Sequence, residues 1–447
     1  MGNLLRIARP PEAIVSMPSK FSAAAASAGL SLLFIVVYGG CAWITSHRAD
    51  VGTWYYSWER CIPFVPWLII PYMSIDLFFV GGPFLCQSPG ELRVLAQRIA
   101  FAILVAGAFF LALPLHLAVA RPQTSGWTGA IFNFLHSFDQ PYNLFPSLHI
   151  ALQTILVSLY AKHARGIARW ALYTWFSLIG VSTLLTYQHH FVDIAGGFVL
   201  AMICFYLFRE ENVRLPVLPN YRVGVYYAAA ALIAIWASLA YRPWTGILLW
   251  PALAFTLTSA AYFGLGPSIY GKTNGRLPLS TRLMFAPSLL GQHLSLLYYR
   301  KRCDAWNPIT PHVWIGAQLN RHEASEARKE NVTAVLDLTA EFSEISIFRE
   351  LDYHNIPILD LTAPNLEQLR AAVGFISQRA ERGVVYVHCK AGYSRSAAVV
   401  GAYLLASGHA VTVEEATGLL RKARPTIVIR PEVLTALDRF QFSLLNK

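Results

Sequence analysis

Between residues 27 and 264 the chain divides into eight apolar runs of near-spanning length, and a backbone built this way is restricted to helices packed in a bilayer. A spanning helix needs about 20 mostly apolar residues. The runs lie near 27–46, 62–80, 99–119, 148–162, 170–187, 190–208, 224–240 and 246–264, the fourth and seventh being short for the task. Charged residues are 14% of the whole and hydrophobic residues 55%. A soluble chain carries roughly 25% charge. The deficit falls before about residue 265; beyond it the composition is ordinary. An all-α polytopic bundle of about eight spans is therefore expected, followed by a soluble domain.

The net charge of +11 raises the question of nucleic acid, but no nucleic-acid motif is present and none is expected as a partner. The basic residues serve orientation instead. Arg6, Arg9 and Lys20 precede the first run; Arg93 and Arg98 follow the second. Lys162, Arg165 and Arg169 follow the fourth, Arg209, Arg214 and Arg222 the sixth, and Lys272, Arg276 and Arg282 the eighth. The alternate loops hold only Arg48 and Arg60, then Arg121, then none, then Arg242. Positive charge accumulates on the cytoplasmic side. Both termini and the soluble domain are thus expected in the cytoplasm of an inner-membrane protein, where thiols stay reduced. The segment 1–26 is then a cytoplasmic lead-in and 27–264 the membrane domain. Cys41, Cys61, Cys86 and Cys204 read as small apolar helix residues, and no Cys/His cluster suggests zinc.

Residues 265–303 form a basic linker rich in Gly and Pro. Its stretch 283–299 is apolar between Arg282 and Arg300-Lys301-Arg302, and suits either a membrane-surface helix or a helix packed on the soluble domain. Gly266–Thr273 matches the nucleotide-binding G-x-x-x-x-G-K-[ST] pattern. That pattern needs a strand before it and a helix after it; here an apolar run precedes and the breaker-rich TNGRLP follows, so nucleotide binding is not expected.

From 304 to 447 short β-branched runs (332–338, 384–388) alternate with helical patterns (365–381, 396–407, 413–423). Alternating strands and helices predict an α/β domain with a central, mainly parallel sheet. The run 384–388 ends in His388-Cys389; Lys390, Ala391, Gly392, Tyr393 and Ser394 follow, and then Arg395 and Ser396 open an apolar helix. Such a loop at a helix N-terminus turns its backbone N–H groups onto an anion. The same field favours a thiolate. Arg395 supplies a planar fork for two phosphate oxygens. Gly392 lets the backbone approach closely. Ser396 stands where it can donate to the sulfur as it leaves. Cys389 is therefore the candidate nucleophile. The leaving group needs a proton, and Asp360, where an apolar run gives way to a loop, is the first candidate for general acid. Asp337 and Asp352 are alternatives with more structural settings.

The membrane half carries a second constellation. Arg121 follows the third run, Phe145-Pro146-Ser147-Leu148-His149 opens the fourth, and Tyr187-Gln188-His189-His190-Phe191-Val192-Asp193 lies between the fifth and sixth. The loop charges place all three at the periplasmic face. His189 and Asp193 are four apart and so can share a helix face, with the carboxylate orienting the imidazole. Ionisable groups at membrane depth are costly and point to function.

These motifs carry two resemblances. Residues 304–447 resemble a dual-specificity phosphatase. Cys-Lys-Ala-Gly-x-Ser-Arg-Ser and the tail 429–440 are most similar to phosphatidylglycerophosphate phosphatases, and Lys390 also to phosphoinositide phosphatases. The resemblance implies a phosphocysteine on Cys389, phosphate held by Arg395, and Asp360 as acid and then base. Residues 60–210 resemble the type 2 phosphatidic acid phosphatase superfamily, which implies His189 as nucleophile, Asp193 as its partner, His149 as acid and Arg121 as a phosphate ligand. Pro114 stands where that family has a Lys, and Ser182-Thr183 replaces a Ser-Arg pair. FPSLH and HHFVD look closer to inositol phosphorylceramide synthases. Hydrolysis, transfer and binding alone all stay open for this site. The chain as a whole resembles bacterial fusions of these two modules. The expectation is a membrane phosphatase acting on phosphorylated lipids, needing no metal or cofactor. The alternative is a tethered protein phosphatase, acting on a phosphoprotein, whose membrane half binds lipid and regulates it.

Overall fold

The structure, a computed structural model, describes residues 17–137, 140–210, 218–241 and 247–446. Arg6, Arg9, Arg214 and Arg242, and most of segment 1–26, lie outside the described residues. The chain forms two compact units, Met1–Glu211 and Asn212–Lys447.

The first unit is helical. Helix α1 (Lys20–Phe34) continues through a π turn into α2 (Gly40–Ser46). Then come α3 (Ile69–Leu85), α4 (Pro89–Ala112), α5 (Gly126–His136), α6 (Leu148–His163), α7 (Gly166–Leu185) and α8 (Phe191–Leu207). The third apolar run, read as 99–119, is displaced. Ser88 caps α4 by accepting from Glu91 N at 3.0 Å and Pro89 takes its first position, so the helix starts ten residues before the run. It stops at Ala112, just ahead of Leu113-Pro114, because a residue before proline is driven out of the helical region. Helix α5 falls in a stretch read as loop.

The second unit starts with two apolar helices, α9 (Tyr221–Ala240) and α10 (Leu249–Ala260), the latter prolonged by a π turn to Leu265. All eight apolar runs are thus represented by helices. Among the described residues four helices are long and apolar enough to cross a membrane: Lys20–Ser46, Pro66–Leu85, Pro89–Ala112 and Tyr221–Ala240. On the last, Leu232, Ile233, Trp236 and Leu239 face outward. A contiguous apolar exterior of this kind belongs in lipid, and the chain is a membrane protein.

After α11 (Leu279–Met284) and α12 (Ala286–Arg300) comes the α/β domain. Its elements are β1 (Trp306–Thr310), β2 (Val313–Gly316), α13 (Arg321–Lys329), β3 (Val332–Thr339), α14 (Ser346–Arg349), β4 (Asp352–Ile358), α15 (Leu366–Ala380), β5 (Val384–His388), α16 (Arg395–Ala406), α17 (Val413–Ala423) and α18 (Pro431–Leu445). The sheet order is β1-β2-β5-β3-β4, with β1 antiparallel at one edge and the rest parallel. Strand side chains alternate between faces. Val385 and Val387 therefore pack with α15–α18, while Val384 and Tyr386 pack with α13 and α14. β5 is buried at all five residues, and whatever follows it emerges from the middle of the sheet.

Candidate active sites

Cys389 follows the last residue of β5 and is itself buried. The loop then turns through Gly392 at φ +73°, where a Cβ would stand 2.6 Å from the carbonyl carbon and oxygen of Gly316. Only glycine fits so close an approach at that φ. Arg424, wholly buried, braces the loop from behind, donating to Ala391 O at 3.2 Å and Gly392 O at 3.1 Å. Ser396, in the first turn of α16, lies with its Oγ 3.4 Å from the Cys389 sulfur. Burial alone would raise the thiol pKa. The Arg395 guanidinium and the hydrogen bonds from the Ser396 side chain and backbone outweigh it, and the thiol is held below its ordinary value.

Arg395 is held through both of its terminal nitrogens. Its Nη1 donates to Glu341 Oε2 at 3.0 Å and to Ile358 O at 2.8 Å; its Nη2 donates to Glu341 Oε1 at 2.7 Å and to Asp360 Oδ1 at 3.1 Å. Glu341, 3% exposed, is thus the bidentate partner that aims the guanidinium, and sequence reading missed it. A Glu in a polar loop after β3 gives no signal of its own.

Asp360 meets both cations: its other oxygen pairs with the Lys390 ammonium. Burial pushes its carboxyl up; Arg395 and then Lys390 push it down, and the net shift is down. Asp337 and Asp352 are elsewhere. Asp337, at the core of β3, pairs with Lys272 and accepts from Tyr353 Oη at 2.7 Å. Asp352 pairs with Arg379 at 2.8 Å on the surface. Lys390 does not point at solvent: its Nζ also donates to Gln292 Oε1 at 2.9 Å and Ser295 Oγ at 3.3 Å, both on α12.

The linker is built into this unit. Lys272, the lysine of the nucleotide-loop pattern, is buried against Asp337 and donates to Thr339 O and Oγ1, each at 3.0 Å. That segment therefore cannot offer it to a phosphate. Next to this pair, His388 Nε2 lies 2.8 Å from Glu344 Oε2. Burial would lower the His388 pKa, but Glu344 and Asp337 raise it on balance, so that two acids, a lysine and an imidazole lie together behind the phosphate loop. Helix α12 packs one face on this unit and leaves another exposed. Gln292 and Leu296 are buried, while Leu290, Leu294, Leu297 and Tyr298 form an exposed apolar stripe.

In the first unit His149 sits in the opening turn of α6, stacked on Tyr72 with ring centroids 4.2 Å apart. His189 and His149 line one cavity of about 280 Å³ together with Asp76 and Asn143. His189 and Asp193 do not share a helix. Tyr187 turns left-handed at φ +51°, and His190 is the N-cap of α8, its N–H bonded to Asp193 Oδ2 at 2.8 Å. His189 thus precedes the helix, with its Nδ1 still 3.6 Å from Asp193 Oδ2. Arg121 reaches the same turn, donating from Nε to Tyr187 O at 2.8 Å. The neighbouring His190 is fully committed: Nδ1 lies 2.9 Å from Glu59 Oε2 and Nε2 accepts from Ala118 N at 3.1 Å. Of the two adjacent histidines, His189 is the one with a ring nitrogen, Nδ1, buried without a hydrogen-bond partner. Sequence reading missed Glu59, Asp76 and Asn143, whose partners or neighbours lie far along the chain.

Comparison with known proteins matches both arrangements. Residues 313–442 match the dual specificity phosphatase catalytic domain, and residues 30–207 match the PAP2 superfamily. Dual specificity protein phosphatase 19 of Mus musculus is 36% identical over 135 residues, 30% of this chain; the match spans only 60% of that relative. Phosphatidylglycerophosphate phosphatase PTPMT2 of Arabidopsis thaliana is 30% identical over 36% of this chain and 72% of its own length. Phosphatidylglycerophosphatase and protein-tyrosine phosphatase 1 of Homo sapiens is 32% identical over 36% of this chain and 85% of its own. Over its C-terminal third this chain belongs to the dual specificity phosphatases, it carries a PAP2-superfamily match over residues 30–207, and it is a phosphoric monoester hydrolase.

Proposed function

We propose that this protein removes monoester phosphate from phosphorylated lipids at the cytoplasmic face of the inner membrane. The Cys389 thiolate attacks phosphorus, and the bond to the leaving oxygen breaks as Asp360 gives that oxygen its proton. Water then attacks the phosphocysteine; Asp360 takes up its proton, and Ser396 donates to the departing thiolate. Arg395 and the backbone N–H groups of residues 390–395 carry the phosphate oxygens. The incoming dianion takes over the two cations that Asp360 holds at rest. Released from them, the carboxyl becomes protonatable, which its role as acid requires. The module boundaries follow the sequence reading: a lead-in over 1–26, a membrane domain over 27–264 with a lipid phosphatase-like core over 60–210, a basic linker over 265–303 and the phosphatase over 304–447.

The observation that carries the lipid reading is Lys390. It adds a buried cation beside the phosphate loop, tied to a helix whose outer stripe is Leu290, Leu294, Leu297 and Tyr298. A phosphate group on an apolar anchor suits that combination, and two of the relatives are named for phosphatidylglycerophosphate chemistry. The test is a substrate panel on the full chain in mixed micelles, with Cys389→Ser as control. Cys389-dependent release from phosphatidylglycerophosphate or phosphoinositides should exceed release from phosphotyrosine peptides. The reverse preference would establish the tethered protein phosphatase instead.

For the second site we propose a phosphohistidine on His189, with Asp193 orienting the ring, His149 protonating the leaving group and Arg121 near the phosphate. Support comes from the shared cavity and from the commitment of His190 elsewhere. The loop charges put this site at the periplasmic face. Outer-face lipid turnover that survives His189→Ala would reduce this half to a lipid-binding regulator.

A further inference from the structure

The Asp360 loop is held from outside the α/β domain. Asp360 O accepts from Tyr262 Oη at 2.9 Å, and Leu361 O accepts from Asn220 Nδ2 at 2.7 Å. Tyr262 lies in the π turn that ends α10, and Asn220 is the N-cap of α9. The two apolar helices thus send one donor each to two successive carbonyls of the loop. Leu361 has φ +59°, a conformation that a branched apolar residue does not hold unaided. The Asp360 side chain is tied back to the same helices by another route. Its Lys390 partner bonds Gln292, Gln292 bonds Tyr227 Oη at 3.0 Å, and Tyr227 stacks on Tyr262 with ring planes 11° apart. Backbone and carboxylate are therefore both referred to one pair of helices.

We infer that Tyr262 and Asn220 are positioning residues for the general acid, so that the apolar hairpin is a working part of the cysteine site and not only its anchor. The inference rests on the assignment of Asp360 as acid. Proton donation matters most when the leaving alkoxide is strongly basic and least for an activated phenolate. A displaced acid should therefore show as a loss that depends on the leaving group, whereas general damage to the fold would lower every rate alike.

The experiment uses the full chain in micelles, in a His189→Ala background so that only the cysteine site reports. Rates are measured on an alkyl phosphate and on 2,4-dinitrophenyl phosphate for Tyr262→Phe, Asn220→Asp, Asp360→Ala and the double variant Asp360→Ala/Tyr262→Phe. Phe keeps the stack and removes only the donor; Asp keeps the helix cap and replaces the donor with a carboxylate oxygen that repels Leu361 O. The expected result is a loss of about tenfold in kcat for the alkyl ester, with KM and the dinitrophenyl rate changed less than about twofold, the size of one misplaced hydrogen bond. The double variant should be no slower than Asp360→Ala alone. Equal losses on both esters, or none, would overturn the inference while leaving Asp360 as acid. If Asp360→Ala itself shows no leaving-group dependence, the acid assignment falls and takes the inference with it.

Discussion

Glu341→Gln removes one negative charge and almost no volume from beneath Arg395. In the native protein both carboxylate oxygens accept from the guanidinium, at 2.7 and 3.0 Å, with Arg395 and Glu341 exposed only 1% and 3%. Breaking such a pair leaves a buried cation short of its counter-charge, at a cost of about 3–5 kcal/mol. Gln keeps one acceptor, which places the expected loss near the lower end, about 3 kcal/mol. For a unit of this size that corresponds to a fall in Tm of about 6–12 °C. Catalysis should suffer separately. With one of its edges facing an amide NH2, the guanidinium no longer sits square to the phosphate. A loss of about 2–3 kcal/mol in transition-state binding lowers kcat/KM about 30- to 150-fold. The measurements are thermal melting of the solubilised full chain, kcat/KM on an aryl phosphate, and the affinity for orthovanadate. A lowered Tm with vanadate affinity and kcat/KM within about threefold of native would show that Arg395 is aimed by something other than Glu341.

Three further outcomes are expected. Lys390→Met removes one of the two cations that hold Asp360 down against burial. The Asp360 pKa then rises, the protonated acid persists to higher pH, and the falling limb of kcat/KM on an alkyl phosphate moves upward; a stationary limb refutes the pairing. The same sign governs stability. Asp360 stabilises above its unfolded pKa of about 3.9 and loses that contribution as pH falls through the lower folded value, so the variant should lose less stability on acidification. Gly392→Ala brings a Cβ to 2.6 Å from Gly316 backbone atoms at φ +73°, and should cost about 2 kcal/mol or more in melting and abolish turnover; a functional Ala variant would show that the loop can open. In the membrane site Glu59→Gln should destabilise the first unit by about 1.5 kcal/mol, because His190 loses a charged hydrogen-bond acceptor, whereas His189→Ala should abolish phosphohistidine labelling with little change in melting.

What could be read from the chain beforehand was whatever chemistry is local. Strand β5, the six-residue loop and α16 are contiguous, so Cys389, Arg395 and Ser396 declare themselves by spacing. The apolar runs declare their helices by length. The partners of those residues do not, because they come from far along the chain: Glu341 is 54 positions from Arg395, Lys272 is 65 from Asp337, and Gln292 is 98 from Lys390. A single Glu or Gln between elements has the same appearance whether it ends in water or under a guanidinium. Spacing also misled at His189. Four residues suggested one helix face, but His190 spends its backbone N–H on Asp193 and starts the helix one residue later. Helix α12 had two readings because its apolar run is long enough to serve two surfaces; Gln292 and Leu296 are buried, and Leu290, Leu294, Leu297 and Tyr298 are exposed.

The burial of Lys272 bears on where this enzyme could be cut. Asp337 lies at the heart of the sheet, fully enclosed, and its ammonium counter-charge enters from a segment 41 residues before the matched catalytic domain begins at 313. A fragment trimmed to that match would contain every residue of the reaction and still leave the buried Asp337 carboxylate without its ammonium partner, held only by Tyr353, Thr339 and His388, a defect worth about 3 kcal/mol. An excised domain that keeps this pair therefore begins before Lys272. In this protein the catalytic module and its linker are one folded unit.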